Sequence, residues 1–191
     1  MSPSLMSRAT SGVVALAASV TPDQFDRPTP CPEWTVRDLV NHLTLWSGVV
    51  AERVARKLPA PADGSEDEAI DFAAQWPARF VDGATRAAEA WDEPGALEGE
   101  TSMMSGPRPA RFFHDMLLAE LVLHGWDLAT ATGLPFDVDP EVAAVARDST
   151  AAMAEQGREY GVFGPEVPVP ADAPALSQAL GVSGRDPEFR P

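Results

Sequence analysis

The sequence is poor in cysteine, in basic residues and in long apolar runs, and each shortage excludes a class of protein. Its single cysteine, Cys31, cannot form an internal disulfide, so we expect a protein without disulfide bonds in a reducing, cytoplasmic environment. Lysine and arginine total 14 against 29 acidic residues, for a net charge of −15, which argues against nucleic-acid or anionic-membrane partners. No stretch approaches the roughly 18 apolar residues of a membrane-spanning helix. We therefore expect a small-molecule substrate rather than a polymer or a membrane as the partner.

The 191 residues suit one domain with an ordered tail, and their apolar pattern is that of helices. Apolar residues recur at helical spacing in five stretches: residues 4–20, 36–56, 68–91, 110–132 and 140–158. This pattern predicts an all-α fold, a four-helix bundle with an additional helix over residues 1–160. Residues 161–191 are Pro-rich but too apolar to leave in water, so we expect them to pack on the bundle as an ordered tail. Residues 92–109 are predicted to be irregular.

Local signals predict where several helices begin and end. Thr35 is placed to cap the second helix, with Asp38 completing a capping box. Pro77 is expected to kink or split the third helix, and Gly133 to end the fourth in a left-handed conformation. Asp172 is predicted to cap a short helical turn in the tail.

Three polar side chains of the 110–132 helix, Glu120, His124 and Asp127, fall inside its apolar stripe. A buried carboxylate without a partner costs several kcal/mol, so these groups need a hydrogen bond, an opposite charge or a metal. Glu120 and His124 are four residues apart, which places them on adjacent turns and close enough to share a cation. His42 points inward from the second helix. The candidate metal ligands are therefore His42, Glu120 and His124, a nitrogen and oxygen set that suits zinc, nickel, iron or manganese.

The same pattern has a plainer interpretation, which the residues alone leave open. His42 and His124 could be core histidines satisfied by hydrogen bonds to Glu120 and Asp127. Asp127 is the candidate catalytic residue of the site, as an acceptor that orients His124. An ordinary capping or salt-bridge role for Asp127 is equally compatible with its position near the end of the helix.

Other residues near these motifs give less specific signals. His114 lies toward the side of its helix beside Asp115 and is predicted to be a rim residue. Cys31 is interpreted as a small buried residue rather than a reactive thiol. Three tryptophans are interpreted as core or pocket wall: Trp34, Trp46 and Trp126. The roles of Arg37 and Arg111 are left open.

Three motifs carry a resemblance to a known family. They are Pro-Thr-Pro-Cys-Pro-Glu-Trp-Thr-Val-Arg-Asp-Leu-Val-Asn-His-Leu at residues 28–43, Glu-Leu-Val-Leu-His-Gly-Trp-Asp-Leu-Ala at residues 120–129 and Gly-Arg-Asp-Pro at residues 184–187. The chain resembles the mycothiol-dependent maleylpyruvate isomerase N-terminal domain family of the DinB-like superfamily, in particular its single-domain actinobacterial metal-binding members. The resemblance implies a DinB-like four-helix bundle and a divalent metal, usually zinc. A histidine of the second helix and a Glu-x-x-x-His pair hold that metal in the family, and they match His42, Glu120 and His124 here.

The resemblance also implies a class of reaction. The chain resembles a superfamily of transferases and isomerases that use a low-molecular-weight thiol. By this resemblance, mycothiol is the expected co-substrate. The maleylpyruvate isomerase of this family resembles a two-domain protein. The residues after Thr132 leave no room for that second domain, so we do not expect this chain to isomerise maleylpyruvate. The first hypothesis is a zinc-dependent, thiol-using transferase or isomerase acting on a small electrophile.

Two rival hypotheses stay open. One is a non-enzymatic protein that binds a metal or an apolar small molecule in the bundle, lined by Trp46, Phe113 and Trp126. The other is a thiol-independent tailoring enzyme of secondary metabolism that isomerises, eliminates or cyclises its substrate. An apolar bundle face permits a homodimer, although no heptad seam demands one.

Overall fold

The computed structural model describes residues 3–103 and 106–190, which are largely helical. Seven α-helices follow in chain order: α1 (Leu5–Ala17), α2 (Val36–Leu45), α3 (Ala51–Ala55), α4 (Ala78–Trp91), α5 (Ala110–Thr132), α6 (Pro140–Glu159) and α7 (Ala175–Val182). A π-helical turn, Trp46–Val50, joins α2 to α3, and Pro22–Gln24 and Ala73–Gln75 form short 3₁₀ helices. Two short antiparallel strands, β1 (Glu100–Met103) and β2 (Gly106–Pro109), form the sheet of the described residues. The predicted all-α fold class is confirmed, with this hairpin as an addition inside the segment predicted to be irregular.

Helix α5 lies at the centre of the core and is buried on nearly all sides. It packs against α1, α2, α3 and α6. Its buried residues include neighbours in sequence such as Leu117, Leu118 and Ala119, so the predicted single apolar stripe was too narrow. A helix that is apolar all round is typical of a protein interior. Several polar side chains of α5 are therefore buried inside the protein: His114, His124, Asp127 and Thr132. No helix of the described residues combines the length and the apolar character needed to cross a membrane.

The start of α2 is fixed by the predicted capping box. The Thr35 hydroxyl oxygen accepts a hydrogen bond from the Asp38 amide at 3.3 Å, and the Asp38 carboxylate accepts one from the Thr35 amide at 2.8 Å. These two bonds satisfy amides that the first turn of a helix leaves unpaired. The capping box is thus confirmed, and it sets the direction in which α2 enters the core.

The π-helical turn after α2 is where α4 crosses. Gly48 and Gly83 meet at this crossing, and a Cβ atom added to Gly83 would lie only 2.0 Å from the Gly48 carbonyl oxygen. Both residues are buried. Two helix backbones approach this closely only where no side chain separates them.

The structure corrects two predicted helix starts and confirms one helix end. Residues 68–77 do not form an α-helix; α4 begins at Ala78, because a proline disfavours helical backbone in the residue before it and Trp76 is extended, with ψ of 142°. The predicted cap by Asp172 is wrong, since α7 begins at Ala175 with no side-chain cap. Gly133 does end α5 in the left-handed conformation, with φ of 73°.

The segment after α6 packs back onto the helices. Helix α7 contacts α6, and its buried Ala179 and Leu180 cluster with Leu123 of α5. The Val167 amide donates a hydrogen bond to the Gly181 carbonyl oxygen at 2.9 Å, which ties the extended part of the segment to α7. These contacts bring the residues just after α7 to the middle of α5. The division of the chain at residue 160 stays a prediction.

Candidate metal centre

The three predicted ligands come together between α2 and α5. Glu120 Oε2 lies 3.1 Å from His42 Nε2 and 3.2 Å from His124 Nε2, and the three candidate ligand atoms lie within 4.8 Å of one another. The two imidazole rings meet edge to face, with centroids 4.6 Å apart. Two nitrogen ligands and one carboxylate oxygen thus converge on one point, as the spacing of Glu120 and His124 on one face of α5 predicts.

The cluster is open on one side. The side chains of His42 and Glu120 are 24% and 26% exposed, whereas that of His124 is 9% exposed. The ring of Trp34 stacks on His124 with centroids 5.6 Å apart and lies 4.9 Å from His42. Trp46 flanks His42 at 6.2 Å. Two of the tryptophans interpreted as core or pocket wall therefore lie against the candidate ligands and shield one side of them from water.

A second layer of polar groups lies behind His124. Asp127 is fully buried, and its Oδ2 atom lies 2.9 Å from His124 Nδ1. Arg185, just past α7, donates to both carboxylate oxygens of Asp127 over 2.8 to 3.0 Å. Cys31 Sγ lies 3.1 Å from Asp127 Oδ2 and 3.8 Å from His124 Nδ1. Asp127 thus lies within hydrogen-bonding distance of His124 and forms one half of a buried ion pair with Arg185, and its catalytic role stays a prediction.

Burial, hydrogen bonds and neighbouring charges together set the protonation of the three candidate ligands, His42, Glu120 and His124. Burial lowers the pKa of the His42 imidazole, and the hydrogen bond with Glu120 opposes this only in part. Burial would also lower the pKa of His124, but hydrogen bonds to Asp127, Cys31 and Glu120 outweigh it and hold that pKa well above its ordinary value. Burial would raise the pKa of Glu120, and the hydrogen bonds and charges of the two histidines hold it well below its usual range instead. Glu120 is therefore an ionised carboxylate at neutral pH, between the rings of His42 and His124.

The charge of Arg185 acts in the same way on Asp127. Burial alone would raise the pKa of this carboxyl group, but the adjacent guanidinium and the hydrogen bond with His124 lower it to about 2. The pKa of Arg185 is raised in turn by Asp127 despite its burial. Asp127 is therefore ionised behind His124, where a carboxylate favours a proton on Nδ1 and leaves Nε2 to face Glu120.

A tight turn before α2 carries Cys31 and Trp34 to the cluster. The Thr29 amide donates to the Trp34 carbonyl oxygen at 3.1 Å, and the Trp34 amide donates to the Cys31 carbonyl oxygen at 3.2 Å. Glu33, inside the turn, has φ of 67°, which non-glycine residues seldom adopt. The proline-rich connector predicted from the sequence is thus an ordered part of the site. Cys31 is partly exposed rather than buried, which corrects its interpretation as a core residue.

One other expectation about a residue near the site is wrong. His114 is not a rim residue but is buried, with its ring edge to face against Trp91 at 5.3 Å, because α5 is covered on nearly every side. Phe113 is buried in the main core, and Trp126 packs on the apolar cluster beneath α7. Of the lining suggested for an apolar pocket, Trp46 alone lies beside the candidate ligands.

Arg185 is the site residue that sequence reasoning missed. Arg37, which drew attention on α2, instead pairs with Asp71 and covers the ring of Phe25. The signal for Arg185 was its place in the Gly-Arg-Asp-Pro motif, three residues after the apolar end of α7. A charge in that position needs a buried partner, and Asp127 is the buried carboxylate that supplies it.

Donor chemistry favours one of the two residue groups that are close enough to bind a cation. The group of Cys31, His124 and Asp127 has its ligand atoms within the same 4.8 Å limit. However, Arg185 Nη2 lies 2.8 Å from Asp127 Oδ2 and 3.5 Å from Cys31 Sγ, so a guanidinium already occupies that side and would repel a metal ion. In the other group, His42, Glu120 and His124, the guanidinium lies 3.4 Å from His124 Nδ1, whereas the candidate ligand atom of that ring is Nε2, which lies 3.2 Å from Glu120. The donor set of this group fits a divalent metal of the zinc type.

Comparison with known proteins places this geometry in a family context. Residues 6–129 match the family model described as mycothiol maleylpyruvate isomerase N-terminal domain. Two uncharacterized proteins of Mycobacterium tuberculosis, from strains CDC 1551 / Oshkosh and ATCC 25618 / H37Rv, are each 33% identical to the chain over 183 residues. Each alignment covers 93% of this chain and 94% of the relative. No solved structure matches the chain significantly. The matched region contains all three candidate ligands.

Proposed function

Because the chain belongs to the mycothiol maleylpyruvate isomerase N-terminal domain family, we propose that it is a zinc-dependent transferase or isomerase that uses a mycothiol-like thiol on a small electrophilic substrate. The family indicates a mycothiol-related, metal-associated function, and the described residues include candidate metal ligands. The observation that carries the proposal is the convergence of His42, Glu120 and His124 on one partly exposed point. Three protein ligands with an open side are typical of catalytic rather than structural zinc.

In this proposal His42, Glu120 and His124 would hold the metal. The chemistry that a bound dication supplies at such a site is a lower pKa for a coordinating thiol, which makes thiolate available at neutral pH. The chain itself contributes orientation and shielding. Asp127 accepts the Nδ1 hydrogen bond of His124 and so keeps Nε2 directed at Glu120.

The surroundings of the cluster support a small, uncharged or weakly polar reaction partner. Trp34 and Trp46 present ring faces and edges beside the two histidines, so a substrate that reaches the open side meets apolar surface. The chain has a net charge of −15, which disfavours polyanionic partners. A small electrophile meets these conditions.

Metal content is the first test of the proposal. The protein is purified without a metal-affinity tag, supplied with zinc, desalted and measured by elemental mass spectrometry, as wild type and as His42→Ala, Glu120→Ala and His124→Ala. We expect near-stoichiometric zinc in the wild type and little in each of the three variants. His114→Gln is the matched control, because His114 is the other histidine of α5 and lies outside the cluster. A folded wild type that stays empty would refute the metal assignment.

Thiol chemistry is the second test. Zinc-loaded protein is mixed with mycothiol, or with cysteine as a simpler thiol, and with an electrophile such as a chlorodinitrobenzene, and conjugate formation is followed by absorbance. We expect faster conjugation with wild type than with Glu120→Ala at equal protein concentration. Zinc-loaded wild type that accelerates neither conjugation nor thiol-dependent isomerisation over a panel of electrophiles would contradict the enzymatic part of the proposal and favour a binding protein.

A further inference from the structure

Arg185 connects the last part of the chain to the candidate metal ligands. We propose that Arg185 is a positioning residue for the metal site, and that metal binding and docking of the C-terminal segment, defined as residues 163–185, are coupled through it. This inference rests on the proposed metal site and goes beyond it, because it assigns a role in metal affinity to a residue that touches no metal. The structural link runs from Arg185 through Asp127 to His124.

The first link is the ion pair between Arg185 and Asp127. Nε of Arg185 lies 2.9 Å from Oδ1 and 3.0 Å from Oδ2 of Asp127, and Nη2 lies 2.8 Å from Oδ2. Asp127 is fully buried and Arg185 is 8% exposed, so water offers neither group a ready alternative partner. A planar guanidinium that holds both oxygens of a carboxylate fixes its rotation as well as its position.

The second link is the hydrogen bond between Asp127 and His124. The oxygen that receives the shortest Arg185 contact, Oδ2, is also the one that lies 2.9 Å from His124 Nδ1. Fixing this oxygen restricts rotation of the imidazole ring about its Cβ–Cγ bond, because that rotation would move Nδ1 away from Oδ2. Nε2 then faces Glu120 at 3.2 Å, in the direction of the proposed metal. Without Arg185, the carboxylate and the ring both gain freedom to turn.

The third link is the dependence of Arg185 on the docked segment. Its amide donates to the Leu180 carbonyl oxygen at 2.8 Å, and the Gly164 amide donates to the Ser183 carbonyl oxygen at 3.2 Å. Gly184 has φ of 86°, and a Cβ atom there would lie 2.6 Å from the Gly164 Cα. Arg185 therefore reaches Asp127 while the extended stretch that begins at Gly164 lies against the end of α7.

Coupling follows from these three links. If the docked segment raises metal affinity by holding His124, the bound metal must favour docking by the same factor, because the two equilibria share one thermodynamic cycle. Groups that orient a metal-bound histidine from behind typically change metal affinity by about 10- to 100-fold when they are removed. The expected effect is therefore large enough to measure directly.

Zinc affinity of Arg185→Ala, with Arg158→Ala as the control, tests the forward direction. Arg158 Nη1 donates to the Val182 carbonyl oxygen at 3.0 Å, so it also fastens the end of α7 but does not touch Asp127. Affinity is measured by competition with a chromophoric zinc chelator. We expect Arg185→Ala to bind zinc roughly 10- to 100-fold more weakly than wild type and Arg158→Ala to match wild type.

Amide hydrogen exchange tests the reverse direction without any assay of activity. The Gly164 and Val167 amides donate to carbonyl oxygens of residues 183 and 181, so their exchange reports docking of the C-terminal segment. We expect zinc to slow both amides in wild type and in Arg158→Ala, and to have no such effect in Arg185→Ala. A purely structural role for Arg185 would speed exchange in the variant but leave the response to zinc intact.

The outcomes separate this inference from the proposed function. Wild type that binds no zinc would overturn the proposed function and the inference with it. Zinc binding of equal affinity in wild type and Arg185→Ala would overturn the inference alone. If Arg185→Ala does not fold, Arg185→Lys replaces it, because lysine keeps the positive charge but cannot form the bidentate hydrogen bond with Asp127. Affinity of Arg185→Lys equal to that of wild type would again overturn the inference.

Discussion

The crossing of α4 over the π-helical turn allows one sharp prediction about stability. At this crossing Gly83 faces the backbone of Gly48, and a Cβ atom on Gly83 would lie 2.0 Å from the carbonyl oxygen and 2.6 Å from the carbonyl carbon of Gly48. The reverse substitution is different: a Cβ on Gly48 would lie 3.6 Å from the carbonyl oxygen of Phe80, an ordinary van der Waals distance. Two facing glycines are therefore expected to respond in opposite ways to replacement by alanine.

Two opposing contributions set the magnitude. Alanine in place of a helical glycine favours the helix by about 1 kcal/mol, and this gain applies to both positions. Overpacking in a well-packed core typically costs about 1 to 3 kcal/mol and sometimes more, and Gly83→Ala belongs at the upper end because the obstructing atoms are backbone. The net loss for Gly83→Ala is then about 2 kcal/mol, or roughly 4 to 8 °C in Tm for a chain of this size. Gly48→Ala gains up to about 1 kcal/mol.

Thermal and urea unfolding followed by circular dichroism measure both variants against wild type. The metal-free protein is used throughout, so that changes in metal occupancy do not enter the comparison. We expect Tm to fall for Gly83→Ala and to stay equal or rise for Gly48→Ala. Equal Tm values for the two variants would refute the close backbone approach at this crossing.

Three further predictions concern the cap of α2, the end of α5 and the proposed metal centre. The hydrogen bonds from Thr35 hold the pKa of Asp38 below its ordinary 3.8, so Asp38→Ala is expected to lose about 1 kcal/mol at pH 7. The stabilisation by the Asp38 carboxylate is fully present above its ordinary pKa and is lost as pH falls through its lower pKa in the folded protein. The difference in Tm between wild type and Asp38→Ala should therefore narrow below pH 4, and an equal difference at pH 7 and pH 3 would count against this prediction. Gly133→Ala should lower stability by about 1 kcal/mol in urea unfolding, because φ of 73° strains any side chain, and an unchanged urea midpoint would disprove this. Zinc should change the fluorescence of Trp34, because this ring stacks on His124. The Trp34→Phe variant should still bind zinc but should lose most of this fluorescence change. A fluorescence change as large as that of wild type would contradict the stacking.

Local and periodic signals made part of this molecule predictable. The capping box at Thr35 and Asp38 depends on residues three apart, so the sequence alone determines it. The inward direction of Glu120 and His124 follows from helical periodicity along α5. Their meeting with His42 was a hypothesis about two separate helices, and the structure brings the three side chains together. Metal binding by them remains a proposal.

Long-range contacts, and the burial of α5 on nearly all sides, explain what could not be predicted from the sequence. Arg185 and Asp127 are 58 residues apart, and no periodic or local rule joins a residue after one helix to the buried face of another. His114 was expected at a rim because it lies off the apolar stripe, but α5 is surrounded, so the sides of the helix are interior as well. The π-helical turn has no signature in the apolar spacing of residues 36–56, which fits a regular helix equally well.

The π-helical turn also sets how the chain tolerates changes in length. A π turn closes hydrogen bonds between residues five apart rather than four, so it contains one residue more than the α-helical turn it replaces. Deleting one residue from Trp46–Val50 would let α2 and α3 merge into a single regular helix. Because the deleted residue is the one that the wide turn adds, the merged helix would keep His42 and the fully buried Val54 on the faces that they now present. A deletion within the regular part of α2 would instead turn every later residue of the helix by about 100°. The π-helical turn is therefore the point at which this helix can lose one residue without a change in its buried face.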